Sequence, residues 1–527
     1  MLNEVGPSHP HMTSMTEETT KNIRQEKIRR IQRGSAPRVL DLFAGCGGLS
    51  LGFSTAGFEI SAGLEINDYA AQTHAENFFS GEKVDHHAKG RDIRETEPED
   101  LFRDVESSQD AAGRIDVIVG GPPCQSFARV GRAKLRDVDQ NPEAFLDDSR
   151  GNLYLRYLDY VRKLQPLALV VENVPDALNY GDHNIAEEIS EVLKELGYSS
   201  RYTLLNSAFY GVPQMRERMF LVAWADEVDS DIRFPEPTHW IDLPSGYHGS
   251  RSVALKHVRK GSLFADNGLQ KGHFVKIPEA SADLPNATTA RQAIDDLPEI
   301  TQHLRGELTR GARRFNQLEP YPGDAHTLYA KLMRNWPDFE SHDGIKDHVD
   351  AIRNLPRDYP IFERMDPGDQ YPAAHEIAHE LLEEHLNEVM VREGIYITEG
   401  SPYYSKYRDD IVPPYDPSKF PNKWRKMEPD EPARTLTAHI GKDTYSHIHY
   451  DSEQARTISV REAARLQSFP DGFEFAGTMN PAFRQIGNAV PPLVAFHIAR
   501  KVGNALEFET VEPLPLPETG LTSNGKS

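Results

Sequence analysis

Between residues 38 and about 225, short apolar runs alternate with helix-patterned stretches. The runs at 39–43, 59–64, 115–119, 167–171 and 218–222 have the length and composition of buried strands. Segments between them, such as 185–196, repeat apolar residues at helical spacing. Strands that alternate with helices predict an α/β architecture, a doubly wound parallel sheet.

From 226 to 455 the pattern changes. Prolines, charges and short irregular pieces dominate, as expected of a second, smaller, irregular domain. Helix-like spacing returns at 456–467, then a loop leads to 484–492 and a last helix runs to about 506. Residues 1–37 are expected to be a flexible basic segment, although Ile23, Ile28 and Ile31 could line one face of a helix. The proline-rich stretch 508–527 is expected to be a disordered tail. The plan is therefore a core built from 38–225 and 456–507, interrupted by 226–455.

Composition narrows the class without naming the chemistry. A chain of 527 residues suits roughly two to four domains. No stretch approaches the ~20 apolar residues of a membrane span, and 1–20 lack the apolar core of a secretory leader. Two cysteines suit a reducing compartment, so a cytoplasmic location is expected. A net charge of −22 argues weakly against a nucleic-acid partner but leaves room for a local basic cleft. Basic clusters at 21–38, 305–314 and 423–426 are either solvated surface or phosphate contacts.

The run at 115–119 leads into GGPPCQSF at 120–127. Cys124 thus follows a stiff Pro122-Pro123 turn at the carboxyl edge of the sheet, where open α/β folds bind ligands. With only Cys46 as a possible partner, a disulfide or a thiol-rich metal site is not expected. The alternative for Cys124 is a small apolar residue filling a turn.

The first run enters Gly45-Cys46-Gly47-Gly48, whose glycines let the backbone approach a ligand and open a helix. Ser50 stands where the full dinucleotide fingerprint has its third glycine. Glu65 ends the second run, 18 residues after Gly47, where a carboxylate suits a ribose hydroxyl pair. Asp92 and Ile93 are expected at the end of a third strand, with Asp92 accepting from an adenine amino group. Together these suggest an adenosine-type cofactor. Cys46 is expected to be structural.

Glu172 follows the run at 167–171, so it lies at another strand end, near Cys124 if the sheet is parallel. A carboxyl in such a cleft can be raised in pKa and donate a proton. A helix cap or a buried ion pair is the alternative. Arg216 and Arg218, two apart on one strand, are natural partners for Glu172 or for a substrate carbonyl.

These segments resemble, motif by motif and in order, the DNA (cytosine-5) methyltransferases. The matching stretches are DLFAGCGGLSLGF, the acid of LEIN, the DI of GRDI, GGPPCQSF, DDSRGNL, ENV, QMRER, RTISVREAARLQSFPD and RQIGNAVPP. They span residues 39 to about 495. The resemblance implies a Rossmann-like, S-adenosyl-L-methionine-dependent catalytic domain with 226–455 as the target-recognition domain. It implies a cofactor pocket lined by Phe43, Gly45, Gly47, Glu65, Asp92, Ile93, Pro123, Leu153, Asn488 and Val490. Cys124 is then the nucleophile toward cytosine C6 and Glu172 the group that protonates or bonds N3. Arg218 contacts O2, and Arg216 supports the thiol loop. The partner is double-stranded DNA, with the target base flipped out and the polar segment 125–148 closing over it. Thr435-Leu436 is expected in the return from the recognition domain to the core. The expected role is restriction-modification or solitary methylation, and the enzyme is expected to be stand-alone, bacterial-style and monomeric.

Rival readings are a transfer-RNA cytosine-5 methyltransferase, a catalytically silent DNA-binding relative and a NAD-dependent enzyme. The long recognition span favours DNA over RNA, Cys124, Glu172 and Arg218 favour an active enzyme, and the Pro-Pro-Cys turn disfavours NAD. His375-Glu376-Ile377-Ala378-His379 matches a zinc-protease helix, but Leu382 holds the place of that site's glycine turn, so no metal is expected. LPETG at 516–520 resembles a sorting signal but has no apolar tail after it.

Overall fold

The computed structural model describes residues 16–102, 112–123, 152–180, 183–258, 272–307, 317–349, 352–441 and 445–511. Its centre is a six-stranded sheet in the order β2-β1-β3-β4-β7-β5. The strands are β1 (Arg38–Leu42), β2 (Glu59–Leu64), β3 (Val117–Gly120), β4 (Ala168–Asn173), β5 (Tyr198–Asn206) and β7 (Glu217–Ala225). β1 pairs in parallel with β2 and β3, and β3 in parallel with β4. β7 runs antiparallel to both β4 and β5, so the doubly wound α/β sheet is mostly parallel, with β7 as its one reversed strand.

Each central strand is buried on both faces, which is why its sequence reads as a continuous apolar run. Val39, Val117, Val119 and Val170 face one core; Leu40, Leu42, Ile118, Leu169 and Val171 face the other. The first core is covered by α2 (Gly48–Thr55) and by a C-terminal helix, Pro492–Ala505. A Cβ on Gly52 would lie 2.4 Å from Ala495 Cβ and from the Phe496 amide, so glycine is what lets these two helices touch. The end of the chain thereby completes the domain that its beginning starts.

Within the segment expected to be largely flexible, residues 17–32 form a docked helix, α1 (Glu17–Gln32), with Ile28 and Ile31 against the first core, as the isoleucine spacing suggested. Two of its basic residues, Arg24 and Lys27, are buried rather than solvated. The Lys27 ammonium is buried and donates to the carbonyls of Ile115, Leu164 and Gln165 at 2.6, 2.7 and 2.9 Å. Arg24 lies over the Tyr198 ring, pairs with Glu227 and donates to the Gly197 carbonyl. Carbonyls at element ends need donors, and α1 supplies them. At the other end Phe508 stacks edge-on to Phe58 with centroids 5.5 Å apart, so 508–511 are packed and the expected tail 508–527 starts too early. Residues 512–527 lie outside the described residues.

Within 226–455 the packing divides. Ala290, Tyr329, Met333 and Trp336 join the first core, and Trp336 Nε1 donates to Thr55 Oγ1 at 2.9 Å. Residues from Tyr359 onward, including Phe362, Tyr371, Leu382, Trp424 and Ile448, build a separate small core. The chain returns through β8 (Ala433–Arg434), which pairs in parallel with β6 (Gln214–Met215). The following helix, Val460–Leu466, is buried throughout and capped by Ser459 and Glu462. Its buried arginines are paired: Arg461 with Asp347, Arg465 with Asp471 and Asp296, and the preceding Arg456 with Glu462.

Candidate active site

β1 ends in a tight turn. Phe43 (φ 61°), Gly45 (φ 55°) and Gly47 (φ 100°) all adopt positive φ before α2 begins. Only glycine does this freely, so Phe43 is held in a strained conformation by the turn around it. A Cβ on Gly45 would meet nothing within 4 Å. On Gly47 it would lie 2.4 Å from the Phe78 ring, and on Gly48 2.1 Å from the Val490 carbonyl. Gly45 alone of the three therefore faces open space. Glu65, just beyond β2, accepts from the Gly45 amide at 3.0 Å and the Asn67 amide at 2.8 Å. Burial pushes its carboxyl up, while those amides oppose the rise.

Leu153 and Phe43 pack on the same core beneath this turn, and Ile93 is part of it. Asp92 departs from expectation. It lies in a turn rather than at a strand end, because residues 89–96 form no ladder and the Arg91 amide bonds the Glu65 carbonyl instead. Its carboxylate takes both oxygens to Arg94 Nε, at 3.0 and 2.9 Å. That contact holds it below the usual carboxylate range.

Across the sheet edge, Glu172 and Asn173 end β4. Asn173 Nδ2 donates to the Pro122 carbonyl at 2.8 Å and so pins the Gly-Gly-Pro-Pro turn. A Cβ on Gly121 would lie 3.0 Å from Glu172 Oε2, which puts the carboxyl directly against that turn. Pro123 is exposed at its tip. Cys124 and the segment 125–148 lie outside the described residues. Glu172 Oε1 is 3.1 Å from Arg218 Nε, and both side chains are largely buried. Burial pushes the Glu172 carboxyl up; Arg218 and then Arg216 oppose it.

Arg216 and Arg218 do not share a partner. Arg216 precedes β7, is buried, and donates to the carbonyls of Leu436 at 2.9 Å and Gly487 at 3.0 Å. Its hydrogen bonds thus tie the returning segments together rather than reaching any described residue of the thiol turn. Thr435 Oγ1 donates to the Met215 carbonyl at 3.0 Å, and the Leu436 amide donates to Gln214 Oε1 at 2.8 Å. Asn488 is exposed beside Gly487, and Val490 abuts the start of α2. The arrangement brings Phe43, Gly45, Gly47, Glu65, Ile93 and Val490 around one turn, with Glu172 and Arg218 at the next strand ends.

Residues passed over in the sequence also converge here. Asp41 in β1 is fully buried; Ser50 Oγ donates to its Oδ2 at 2.7 Å and lies 2.9 Å from His74 Nε2. The only sequence signal was Ser50 replacing a glycine. Cys46 is buried, 3.6 Å from the Gln485 carbonyl, and burial pushes its thiol up, as a structural cysteine requires.

Elsewhere, the His375 and His379 rings lie 4.7 Å apart on the helix Tyr371–Glu393. Among the described residues no group of three His, Cys, Asp or Glu side chains could hold a metal ion. No helix among them is long and apolar enough to cross a membrane. The cluster at 423–426 is only partly a surface: Lys426 is buried and donates to the Phe362 and Met365 carbonyls.

Residues 37–504 match the model of the C-5 cytosine-specific DNA methylases. The chain is 37% identical over 470 residues to the inferred type II methyltransferase M.OihORF3336P of Oceanobacillus iheyensis, covering 88% of this chain and 94% of that one. It is 30% identical over 487 residues to the type II methyltransferase M.AgeI of Thalassovita gelatinovora, covering 89% and 100%. A crystal structure of an inferred DNA modification methyltransferase encoded within an Escherichia coli prophage shares the fold. Its TM-score is 0.55 at 22% identity, over 90% of this chain and 100% of that one. The chain belongs to the C-5 cytosine-specific DNA methylase family.

Proposed function

We propose that the chain transfers a methyl group from S-adenosyl-L-methionine to C5 of a cytosine flipped out of a specific duplex DNA sequence. The observation that carries this reading is Glu172: a buried carboxyl, pushed up by burial, paired with Arg218 and set against the turn that leads to Cys124.

When bound, S-adenosylmethionine supplies a methyl group on a positively charged sulfur. The turn at Phe43, Gly45 and Gly47 would hold it, with Glu65, Asp92, Ile93, Pro123, Leu153, Asn488 and Val490 around it. Two features fit that group. Gly45 faces open space, and the Glu65 carboxylate, which accepts the Gly45 and Asn67 amides, has lone-pair capacity left for a ribose hydroxyl.

Cytosine C5 is a poor nucleophile. The Cys124 thiolate adds to C6, and the ring π electrons move to C5. A proton or strong hydrogen bond from Glu172 at N3 stabilises the charge that builds up. Arg218 orients the base at O2 while its Nε–H holds Glu172. C5 then takes the methyl group as the methyl–sulfur bond breaks with its electron pair left on sulfur, a base removes the C5 proton, and the C5–H electron pair re-forms the C5–C6 double bond and expels the Cys124 thiolate. Arg216 acts at one remove, through the carbonyls it joins.

The test is transfer of an isotopically labelled methyl group to duplex DNA and, in parallel, to transfer RNA. The nucleic acid is then hydrolysed and 5-methylcytosine read by mass spectrometry. Label in cytosine of duplex DNA is expected. Label confined to transfer RNA would overturn the substrate assignment.

A further inference from the structure

We propose that His74, with Ser50 and Asp41, is a positioning device that fixes the two turns of the cofactor site relative to one another. The inference rests on the reading of that site as an S-adenosylmethionine pocket.

His74 lies on the helix Asp68–Phe78, whose N-terminus is capped by Asn67. Its ring is buried between the two turns. A Cβ on Gly63 of β2 would lie 2.4 Å from His74 Cε1, and one on Gly47 would lie 3.1 Å from Cδ2. Glycine at both positions makes the space that the imidazole fills. Gly47 belongs to the turn at 45–48, and Gly63 stands two residues before Glu65. The direct link between those turns is the bond from the Gly45 amide to Glu65 Oε2. The His74 ring is the wedge behind it.

The wedge is also hydrogen-bonded. The Ser50 hydroxyl has one proton, and an ionised Asp41 takes it. His74 Nε2, 2.9 Å from the same oxygen, must then be the donor and carry a proton. Burial keeps the ring neutral, pulling the imidazole down to about 3. Burial also pushes Asp41 up to about 7, against the Ser50 bond. Once Asp41 is protonated, the Ser50 proton is no longer committed to it, so the chain can reverse. The Glu65 charge helps push Asp41 up, and Cys46 and Tyr157 sense the Asp41 charge in turn. A third glycine at position 50, as in the full dinucleotide fingerprint, could not make this bridge.

The experiment is calorimetric titration of the full chain with S-adenosylmethionine from pH 6 to 8.5, beside thermal melts without ligand. Ser50→Ala removes the bridge at nearly constant volume, and His74→Phe fills the space without the donor. Ser50→Cys replaces either variant that fails to fold. We expect Kd to rise about tenfold or more in Ser50→Ala, with the melting temperature within a few degrees of the parent. The pH dependence of the parent's Kd near neutrality should flatten in the same variant. A lowered melting temperature with unchanged Kd and pH profile would make the trio merely structural and overturn the proposal. Nitrogen-15 shifts of His74 in the unaltered chain give a second readout. A neutral Nε2–H ring is expected at pH 8, and an imidazolium or Nδ1–H ring contradicts it. A parent chain that binds no S-adenosylmethionine at all would overturn the cofactor reading itself, and the proposal with it.

Discussion

Glu172 and Arg218 meet across an antiparallel strand pair, with Oε1 and Nε 3.1 Å apart. The register pairs Glu172 with Phe220 and Asn173 with Met219, so Arg218 lies one residue beyond the last pair and turns back to the carboxyl. A parallel neighbour would not bring this arginine to the strand end that carries Glu172. Glu172→Gln keeps the shape and removes the acid. We expect a fall in single-turnover methyl transfer of about 10²–10⁴-fold with cofactor affinity unchanged. Arg218→Met should cost activity and stability together, because Glu172 loses its buried partner.

The turn before Cys124 hangs on Asn173. Asn173→Ala leaves the buried Pro122 carbonyl without its donor, a loss of about 1–3 kcal/mol. Methyl transfer should fall more than stability predicts, since the turn that leads to Cys124 is released. Urea melts and single-turnover rates on one preparation separate the two effects.

Gly45 in the turn and Gly52 in α2 should behave differently. Gly52→Ala forces a Cβ to within 2.4 Å of Ala495 Cβ and should cost about 1–3 kcal/mol of stability, with cofactor affinity following only as far as folding does. Gly45→Ala meets no protein atom but carries φ 55°, so it should cost about 1 kcal/mol and weaken S-adenosylmethionine binding selectively. Thermal melts with and without the cofactor check both.

Asp41 makes stability depend on pH. Its carboxyl is pushed to about 7 in the fold from an ordinary 3.8. The folded chain therefore binds more protons than the unfolded chain between those values, and stability from this group is lost as pH rises from about 4 to about 7. The whole gap corresponds to at most about 4 kcal/mol. Asp41→Asn should remove that slope, so its stability relative to the parent rises from pH 5 to pH 8. Urea melts at the two pH values read it.

Removing α1 should unfold or strongly weaken the chain. Lys27→Met alone leaves three buried carbonyls without their donor and should cost at least about 2 kcal/mol in a urea melt. A truly flexible leader would give no change.

The sheet was largely legible because its central strands are buried on both faces and read as apolar runs. β5 was not, since its first residues, Tyr198-Ser199-Ser200-Arg201, alternate exposed polar positions with buried ones. The direction of β7 depends on a turn through residues 207–216 that no periodicity reveals. At the site, Glu65 and Glu172 stood out by position at the ends of apolar runs. Asp92 misled because an acid before an apolar residue looks the same in a turn as at a strand end. Asp41 and His74 carry no local signal, and Ser50 showed only as a replaced glycine, since their partnership joins a strand and two helices. Lys27 and Arg24 looked solvated because carbonyl groups gathered at element ends are invisible in a linear chain.

The central claim is Cys124-dependent methylation of cytosine C5 in duplex DNA. The most direct measurement incubates the full chain and S-adenosylmethionine with random-sequence duplex DNA and maps 5-methylcytosine by bisulfite sequencing, beside Cys124→Ala. The account predicts methylation in one short sequence context that vanishes in the variant. No methylated context from protein shown to bind the cofactor, or a context that survives in Cys124→Ala, would contradict it.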